Sequence, residues 1–407
     1  MVNKSRYFEA VILGRLLFLK KILHIALNGP YTEGFSYQDN LLPKYHARLG
    51  FDVAVLAPAW RHGKNGALEH VSAGRSYDGR VLLVRMETAN EKGLVDRFKV
   101  YPGLLAELEG FGPDIIFLHG CQFRDAKTVV NYIQSCSVKP VLYVDNHADY
   151  SNSATNFISR YLLHRIVWRR YAKLLEPYVM RFWGVLPARV DFLVENYGLP
   201  RQKCSLLVMG GDDDEVKRAS DETKVAETKK KFCFEDSDFV IVTGGKIDEA
   251  KRQVLALMDA VAEMNGRVKM LVFGPVVPSL KSEFDKRLDC EQIIYVPWAN
   301  TSDSYDYFAI ADLVVFPGRH SVYWEQAAAM GKPLLIKHWD GTTHVDCGGN
   351  VAYTSGDDVA SIEADLIACT DPAVNSKMKT AAHSASRHFL YSDIACRSIG
   401  YGKEGLC

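Results

Sequence analysis

Phe239-Val240-Ile241-Val242-Thr243-Gly244-Gly245-Lys246-Ile247-Asp248-Glu249-Ala250-Lys251 is the stretch on which the fold turns. It opens on a short apolar run rich in β-branched residues, breaks at two glycines and runs into a segment of helical spacing, 249–264. A run apolar on both faces suits a strand buried inside a parallel sheet. The helix behind it makes the pair one half of a βαβ unit. The glycines let backbone approach a ligand closely. Lys246 and Lys251 can converge on one spot beside a helix N-terminus, a good site for a diphosphate. Taken singly, either lysine reads equally as a solvated surface charge. The loop is not G-x-G-x-x-G, so a nicotinamide enzyme loses its main support.

The same alternation extends in both directions. Downstream, strands are predicted at 270–273, 293–296, 313–316 and 333–337, with helices at 279–288, 302–311 and 323–330. Upstream, strands are predicted at 21–27, 52–57, 81–86, 114–119 and 140–146. Helices are predicted at 37–49, interrupted by Pro43, at 127–133 and at 156–176. Crossovers between such strands are right-handed. Between the halves lies the most polar segment, from Gly210-Gly211-Asp212-Asp213-Asp214-Glu215 to a Lys-rich helix. It predicts the domain junction. The expected division is an N-terminal extension at 1–20, a Rossmann-like domain at 21–210, a linker at 211–231 and a second Rossmann-like domain at 232–385. Closing helices at 386–407 return toward the first domain. In doubly wound sheets, ligands bind outside the carboxyl ends of the strands. Two such domains facing each other would place the site in the cleft between them.

Composition agrees with a soluble two-domain α/β protein. The chain has 407 residues, too many for one comfortable core, with 48% hydrophobic and 24% charged residues. Lys+Arg and Asp+Glu are both 49, a formal net charge of +0, which argues against a dedicated nucleic-acid binder. The nine cysteines form no C-x-x-C pair and are odd in number. Buried thiols in a reducing compartment fit better than a disulfide framework or zinc site. Val11 to Leu19 is apolar, but Arg15 interrupts it and Lys20-Lys21 end it, so it is too short and charged to span a bilayer. It reads as an extension before the first strand, or as a weak amphipathic anchor.

Residues just after strands are the candidates for chemistry. Gly34, after the first strand, permits close approach of a phosphate or sugar, though such turns also use Gly for geometry. His147, preceded by Asp145, can meet a sugar at a strand end or serve the structure alone. After 313–316 come Pro317-Gly318-Arg319-His320-Ser321-Val322-Tyr323-Trp324-Glu325. Ser321 is a candidate N-cap, which would leave the N–H groups of Val322 and Tyr323 for a phosphate. Glu325 either accepts both hydroxyls of a ribose or complements the helix dipole. Asp212-Asp213-Asp214 reads as a polar junction rather than a metal site. Between 160 and 181, six basic residues interleave with Tyr161, Trp168 and Tyr171. This face either is merely solvated or docks on an anionic membrane.

Together these residues resemble the retaining glycosyltransferase family 4, over about residues 21–401. Gly245-Lys246 to Lys251 keeps the spacing of the family's Gly-Arg-x-x-x-x-Lys grip on the donor diphosphate, with Lys in place of Arg. Glu325-Gln326-Ala327 to Gly331-Lys332-Pro333 matches the family's second motif, which makes Glu325 the ribose glutamate. His147 matches the histidine near the transferred sugar, and Gly34 the loop glycine near the phosphates. Tyr37-Gln38-Asp39-Asn40-Leu41-Leu42-Pro43-Lys44-Tyr45-His46 resembles a subgroup of bacterial surface-polysaccharide transferases. Two departures stand out. The family's second acidic residue falls at Pro317, where His320 or Arg319 would have to substitute. Lys246 offers a point charge where a bidentate fork is usual.

The resemblance implies a GT-B fold, α/β, of two Rossmann-like doubly wound domains facing across a cleft. It implies a retaining hexosyl- or N-acetylhexosaminyl-transferase acting on a nucleotide-sugar donor such as a UDP-sugar. Lys246, Lys251 and His147 would be catalytic, and Gly34, Gly245, Lys246, Lys251, His320, Ser321, Val322 and Glu325 would bind the donor. No metal or other cofactor is expected, because the lysines and helix N-termini carry the leaving-group charge. The expected partners are a nucleotide sugar and a glycan or lipid-linked acceptor in polysaccharide biosynthesis, with no nucleic acid. The expected location is cytoplasmic, at the inner face of the cell membrane through peripheral contact with anionic lipid. The rivals are a non-catalytic nucleotide-sugar-binding protein and a GT-B nucleotide-sugar epimerase.

Overall fold

The structure is a computed structural model that describes residues 21–63, 67–89, 98–264 and 266–401. The expected N-terminal extension, with its anchor reading, lies outside the described residues. The chain divides into two compact units. One runs to Val208 and takes up the chain again at Ile394; the other runs from Met209 to Asp393.

The first unit holds a sheet in the order Cys204–Leu206, Val179–Gly184, Val141–Asn146, Ile115–Leu118, Lys21–Ile25, Asp52–Pro58, Val81–Met86, Gly74–Asp78. Every pairing is parallel except the last, where Gly74–Asp78 runs antiparallel at the edge. The first strand sits between Asp52–Pro58 and Ile115–Leu118, so the chain reverses its direction of strand addition there. Such a switch point opens a crevice at the carboxyl ends. Leu23, Ile25, Leu56, Ile116, Leu118 and Val144 bury the sheet against its helices.

The second unit repeats the plan: Ile293–Val296, Val268–Phe273, Phe239–Gly244, Leu313–Phe316, Leu334–Ile336, Val351–Tyr353, all parallel. Its switch point lies between Phe239–Gly244 and Leu313–Phe316. Ile241, Val272, Leu313, Val315 and Leu335 form the middle of its core.

Several elements differ from expectation for identifiable reasons. The helix Gln38–Arg48 continues through Pro43 instead of breaking there. The missing N–H costs on the order of 3 kcal/mol. Burial of Leu41, Leu42 and Tyr45, each worth about 1.5–3 kcal/mol, offsets it. The segment expected as a plain helix at 156–176 is a π-helix at Ile158–Trp168 followed by an α-helix at Arg169–Leu175. The polar segment 211–231 folds into the helices Asp213–Ala219 and Glu222–Lys231. Asp212 caps the first through Asp214 N, and Asp221 caps the second through Thr223 N and Lys224 N. Asp212 therefore has a structural task. The strands Val179–Gly184 and Gly74–Asp78 escaped the reading because neither is a continuous buried apolar run: the first mixes buried with half-buried positions, and the second is exposed almost throughout.

Candidate functional site

The loops at the second switch point are held very close. Gly245 has φ +98 and Gly274 φ +111, both in the left-handed region, and a Cβ on Gly274 would fall 2.4 Å from the Gly245 carbonyl oxygen. A Cβ on Gly245 would lie 3.3 Å from the Tyr323 ring and 3.5 Å from Lys251 Nζ. Gly318 approaches Lys251 from the neighbouring strand, where a Cβ would sit 2.8 Å from Lys251 Cα. The Arg319 N–H donates to the Ala250 carbonyl at 3.2 Å. Glycine is therefore required here because three loops share one small volume.

This crowding gathers positive charge. Burial pushes the Lys251 ammonium below its ordinary pKa; Asp248 opposes the shift, and Arg319 and Lys246 add to it. Lys246 itself is exposed. Lys246 and Arg319 are thus both near enough to repel the Lys251 ammonium at the carboxyl end of a parallel sheet. An anion there would relieve that repulsion.

The next candidates line the loop after Leu313–Phe316. Tyr323 begins the helix Tyr323–Ala329, and its N–H lies 3.5 Å from Ser321 Oγ, so Ser321 engages a group expected to be open to ligand. Val322 is exposed. Glu325 is fully buried. Its Oε1 accepts from His320 Nε2 at 2.9 Å and from His344 Nε2 at 2.7 Å. Its Oε2 is buried and receives no hydrogen bond. Burial alone would raise this carboxyl, but the two histidines outweigh it and hold the group well below the usual carboxylate range. His320, Glu325 and His344 also bring one ligand-type atom each within 4.8 Å of one another.

Gly34 and His147 belong to the first unit. Gly34 has φ +76, and nothing lies within 4 Å of where its Cβ would be. Arg85 pins its loop, donating to the Tyr31 carbonyl at 2.8 Å and pairing with Glu33 at 2.8 Å. His147 is half-exposed, with Nε2 3.5 Å from Asp145 Oδ2. Asp145 is buried, accepting from His119 Nδ1 at 2.9 Å, Gln38 Nε2 at 3.2 Å and Gly120 N at 2.7 Å. Burial opposes its ionisation, but His147 and His119 hold it well below the ordinary range.

Sequence reasoning missed His344 as a partner of Glu325; it named Arg319 and the Tyr323 N–H, but not the approach of Arg319 to Lys251 or of the Tyr323 ring to Gly245. It also missed His24, His46 and His119, which link into one buried chain. Only the glycines at 245, 274 and 318, clustered after strands, hinted at loops in contact.

A pair of doubly wound units, each with its switch-point crevice, defines the GT-B fold, and this chain has it. No protein-family profile matches the chain, and no curated protein matches it. Solved structures do. HepE from Anabaena, solved with UDP and glucose, is 15% identical with a TM-score of 0.60, covering 93% of this chain and 98% of its own. Sucrose-phosphate synthase from Thermosynechococcus elongatus is 13% identical with a TM-score of 0.64, covering 93% and 97%. A protein described as a putative UDP-N-acetylglucosamine 2-epimerase from Listeria monocytogenes is 12% identical with a TM-score of 0.58, covering 93% and 94%. Among the described residues, no helix is long and apolar enough to cross a membrane.

Proposed function

We propose that the chain is a retaining glycosyltransferase that moves a sugar from a nucleotide-diphosphate sugar to a glycan or lipid-linked acceptor. The observation that carries this is the crowding of Lys246, Lys251 and Arg319 around Gly245 at the switch point of the second sheet. The donor diphosphate binds there, and the two lysines neutralise the charge that grows on it as the glycosidic bond breaks. No metal ion is needed at the diphosphate. The acceptor proton leaves on the departing phosphate. Glu325 takes the ribose hydroxyls through Oε2 once the 317–322 loop shifts on donor binding. His320, Ser321 and Val322 border the donor. Because HepE was solved with UDP-glucose, UDP-sugars are the first donors to try.

Calorimetry against UDP, GDP, ADP and their sugars tests the reading on the native chain and on Lys246→Ala and Glu325→Ala. One nucleotide should bind, and both substitutions should abolish that binding. Failure of every nucleotide to bind would end the transferase reading. An epimerase would instead convert the donor sugar without an acceptor and release no free nucleotide, which chromatography of the donor would detect.

A further inference from the structure

The first unit carries a cavity of about 190 Å3 that neither the donor site nor His147 uses. It lies where a doubly wound sheet places a ligand. Leu27 and Asn28 follow the Lys21–Ile25 strand, and Gln122 and Arg124 follow Ile115–Leu118, so the switch-point crevice forms one wall. His164 and Trp168 of the π-helix line it as well. At this size it suits one head group rather than a whole substrate, whose pockets run to about 300–1,000 Å3.

Its chemistry is one-sided. Lys99 and Arg124 line it, and among the described residues no Asp or Glu does. Arg124 gives one N–H to the Phe98 carbonyl at 3.2 Å, out of five such donors. The amides are held in place from behind. Asn28 Nδ2 donates to the carbonyls of His119 at 2.6 Å and Gly120 at 3.2 Å. Gln122 Nε2 donates to Asn146 Oδ1 and to Tyr197 Oη, both at 2.8 Å. With both N–H groups of each amide spent, Asn28 and Gln122 can offer the cavity only their carbonyl oxygens, as acceptors for hydroxyls, and the two cations are what recognise a small, oxygen-rich anion.

The helix that closes the cavity has a second face. His164 and Trp168 are buried, whereas Phe157, Ile158, Leu162 and Ile166 are 72%, 67%, 52% and 60% exposed. Arg160, Arg165 and Arg170 flank them in the open. No acidic residue stands between Ile158 and Leu175. An apolar ridge among arginines fits the surface of an anionic bilayer. Anion-binding cavity and bilayer-fitting ridge are therefore two faces of a single helix.

We propose that this cavity binds the phosphate of a lipid-linked acceptor, with the lipid chain lying along Phe157, Ile158, Leu162 and Ile166. This rests on the transferase reading and narrows its acceptor to a lipid phosphate. Arg124 and Lys99 pair with the phosphate oxygens, and Asn28 and Gln122 orient the group attached to them.

The test is sedimentation of the full chain with phosphatidylcholine vesicles doped with a long-chain alkyl phosphate or, at equal surface charge, with phosphatidylglycerol. Arg124→Gln should weaken binding roughly fivefold to tenfold on alkyl-phosphate vesicles and much less on phosphatidylglycerol. Leu162→Ser with Ile166→Ser should weaken both. Both positions are exposed, so these variants should fold, and their thermal midpoints would verify it. Equal loss by Arg124→Gln on both vesicles, or none on either, would overturn the proposal. So would Arg124-dependent binding of glucose 1-phosphate in solution without any preference for alkyl-phosphate vesicles. Calorimetry with nucleotides on the same samples separates the two readings. Nucleotide binding alongside an inert Arg124→Gln removes this proposal alone, and no nucleotide binding removes the transferase reading beneath it.

Discussion

His24 Nδ1 and His119 Nε2 stand 2.9 Å apart, and both rings are fully buried. The contact is the centre of a longer chain. His119 Nδ1 reaches Asp145 Oδ2 at 2.9 Å, His24 Nε2 reaches His46 Nδ1 at 3.0 Å, and His46 Nε2 reaches Ser398 Oγ at 3.0 Å. His46 Nε2 also faces the Ala395 carbonyl at 3.1 Å, and the Ser398 hydroxyl gives its proton to that carbonyl at 2.8 Å. His46 Nε2 therefore carries a hydrogen, His24 Nε2–H donates to His46 Nδ1, and His119, donating both to His24 Nδ1 and to the Asp145 carboxylate, carries two. A buried polar network is stable only when every member is satisfied in this way.

Stability should therefore fall in acid. Burial, helped by the neighbouring imidazoles, pushes His24 well below the ordinary histidine value and His46 down to about 4. Both bind fewer protons folded than unfolded, so stability rises with pH from about 4 to about 6.5, by up to about 1.4 kcal/mol per pH unit for each ring. His119 has the opposite sign. Burial would lower it, but Asp145 outweighs that and raises it, so its contribution is complete below about 6.5 and is lost as pH climbs through its raised value. Urea unfolding between pH 4 and 8 measures this. Equal stability at pH 5 and pH 7 would contradict it, and His46→Gln should flatten the acid limb.

Lys251→Ala should weaken nucleotide-diphosphate binding roughly 10- to 100-fold, the range for a lost charged hydrogen bond. Lys246→Arg should be tolerated better than Lys246→Ala, because the guanidinium keeps the charge at an exposed position. Titration calorimetry reads both. Unaltered affinity in Lys251→Ala would move the diphosphate elsewhere.

Gly245→Ala should damage both fold and site. At φ +98 an alanine is strained by about 1–2 kcal/mol, and its methyl would crowd the Tyr323 ring and Lys251 Nζ. Thermal unfolding should show the loss, and nucleotide affinity should drop with it. A variant as stable as the parent would show that the loop relaxes freely.

His344→Ala should cost about 1–3 kcal/mol, because the fully buried Glu325 carboxylate would keep only His320 as a donor. Chelation makes the complementary check. If His320, Glu325 and His344 hold no functional ion, EDTA should change neither thermal midpoint nor nucleotide affinity. A fall in either, reversed by a divalent metal, would assign these side chains to a cation instead.

Much of the architecture was legible along the chain. Runs such as 313–316 and 81–86 coincide with their strands, since a strand buried on both faces writes itself as consecutive apolar residues. Mixed strands such as Val179–Gly184 do not write themselves so. The helix through Pro43 shows tertiary burial overriding a local breaker.

The amino-acid sequence by itself determined the doubly wound class and the local pattern Gly245, Lys246, Lys251. Both depend on periodicity and on turn chemistry within a dozen residues. Tertiary structure alone decided that His344 meets Glu325, that Gly318 and Arg319 crowd Lys251, and that residues 24, 46, 119 and 398 share one hydrogen-bonded chain. The physical reason is strand order. A parallel sheet sets side by side strands that lie up to 93 residues apart in the chain, as Ile22 and Ile115 are, and no local pattern encodes which loops then touch.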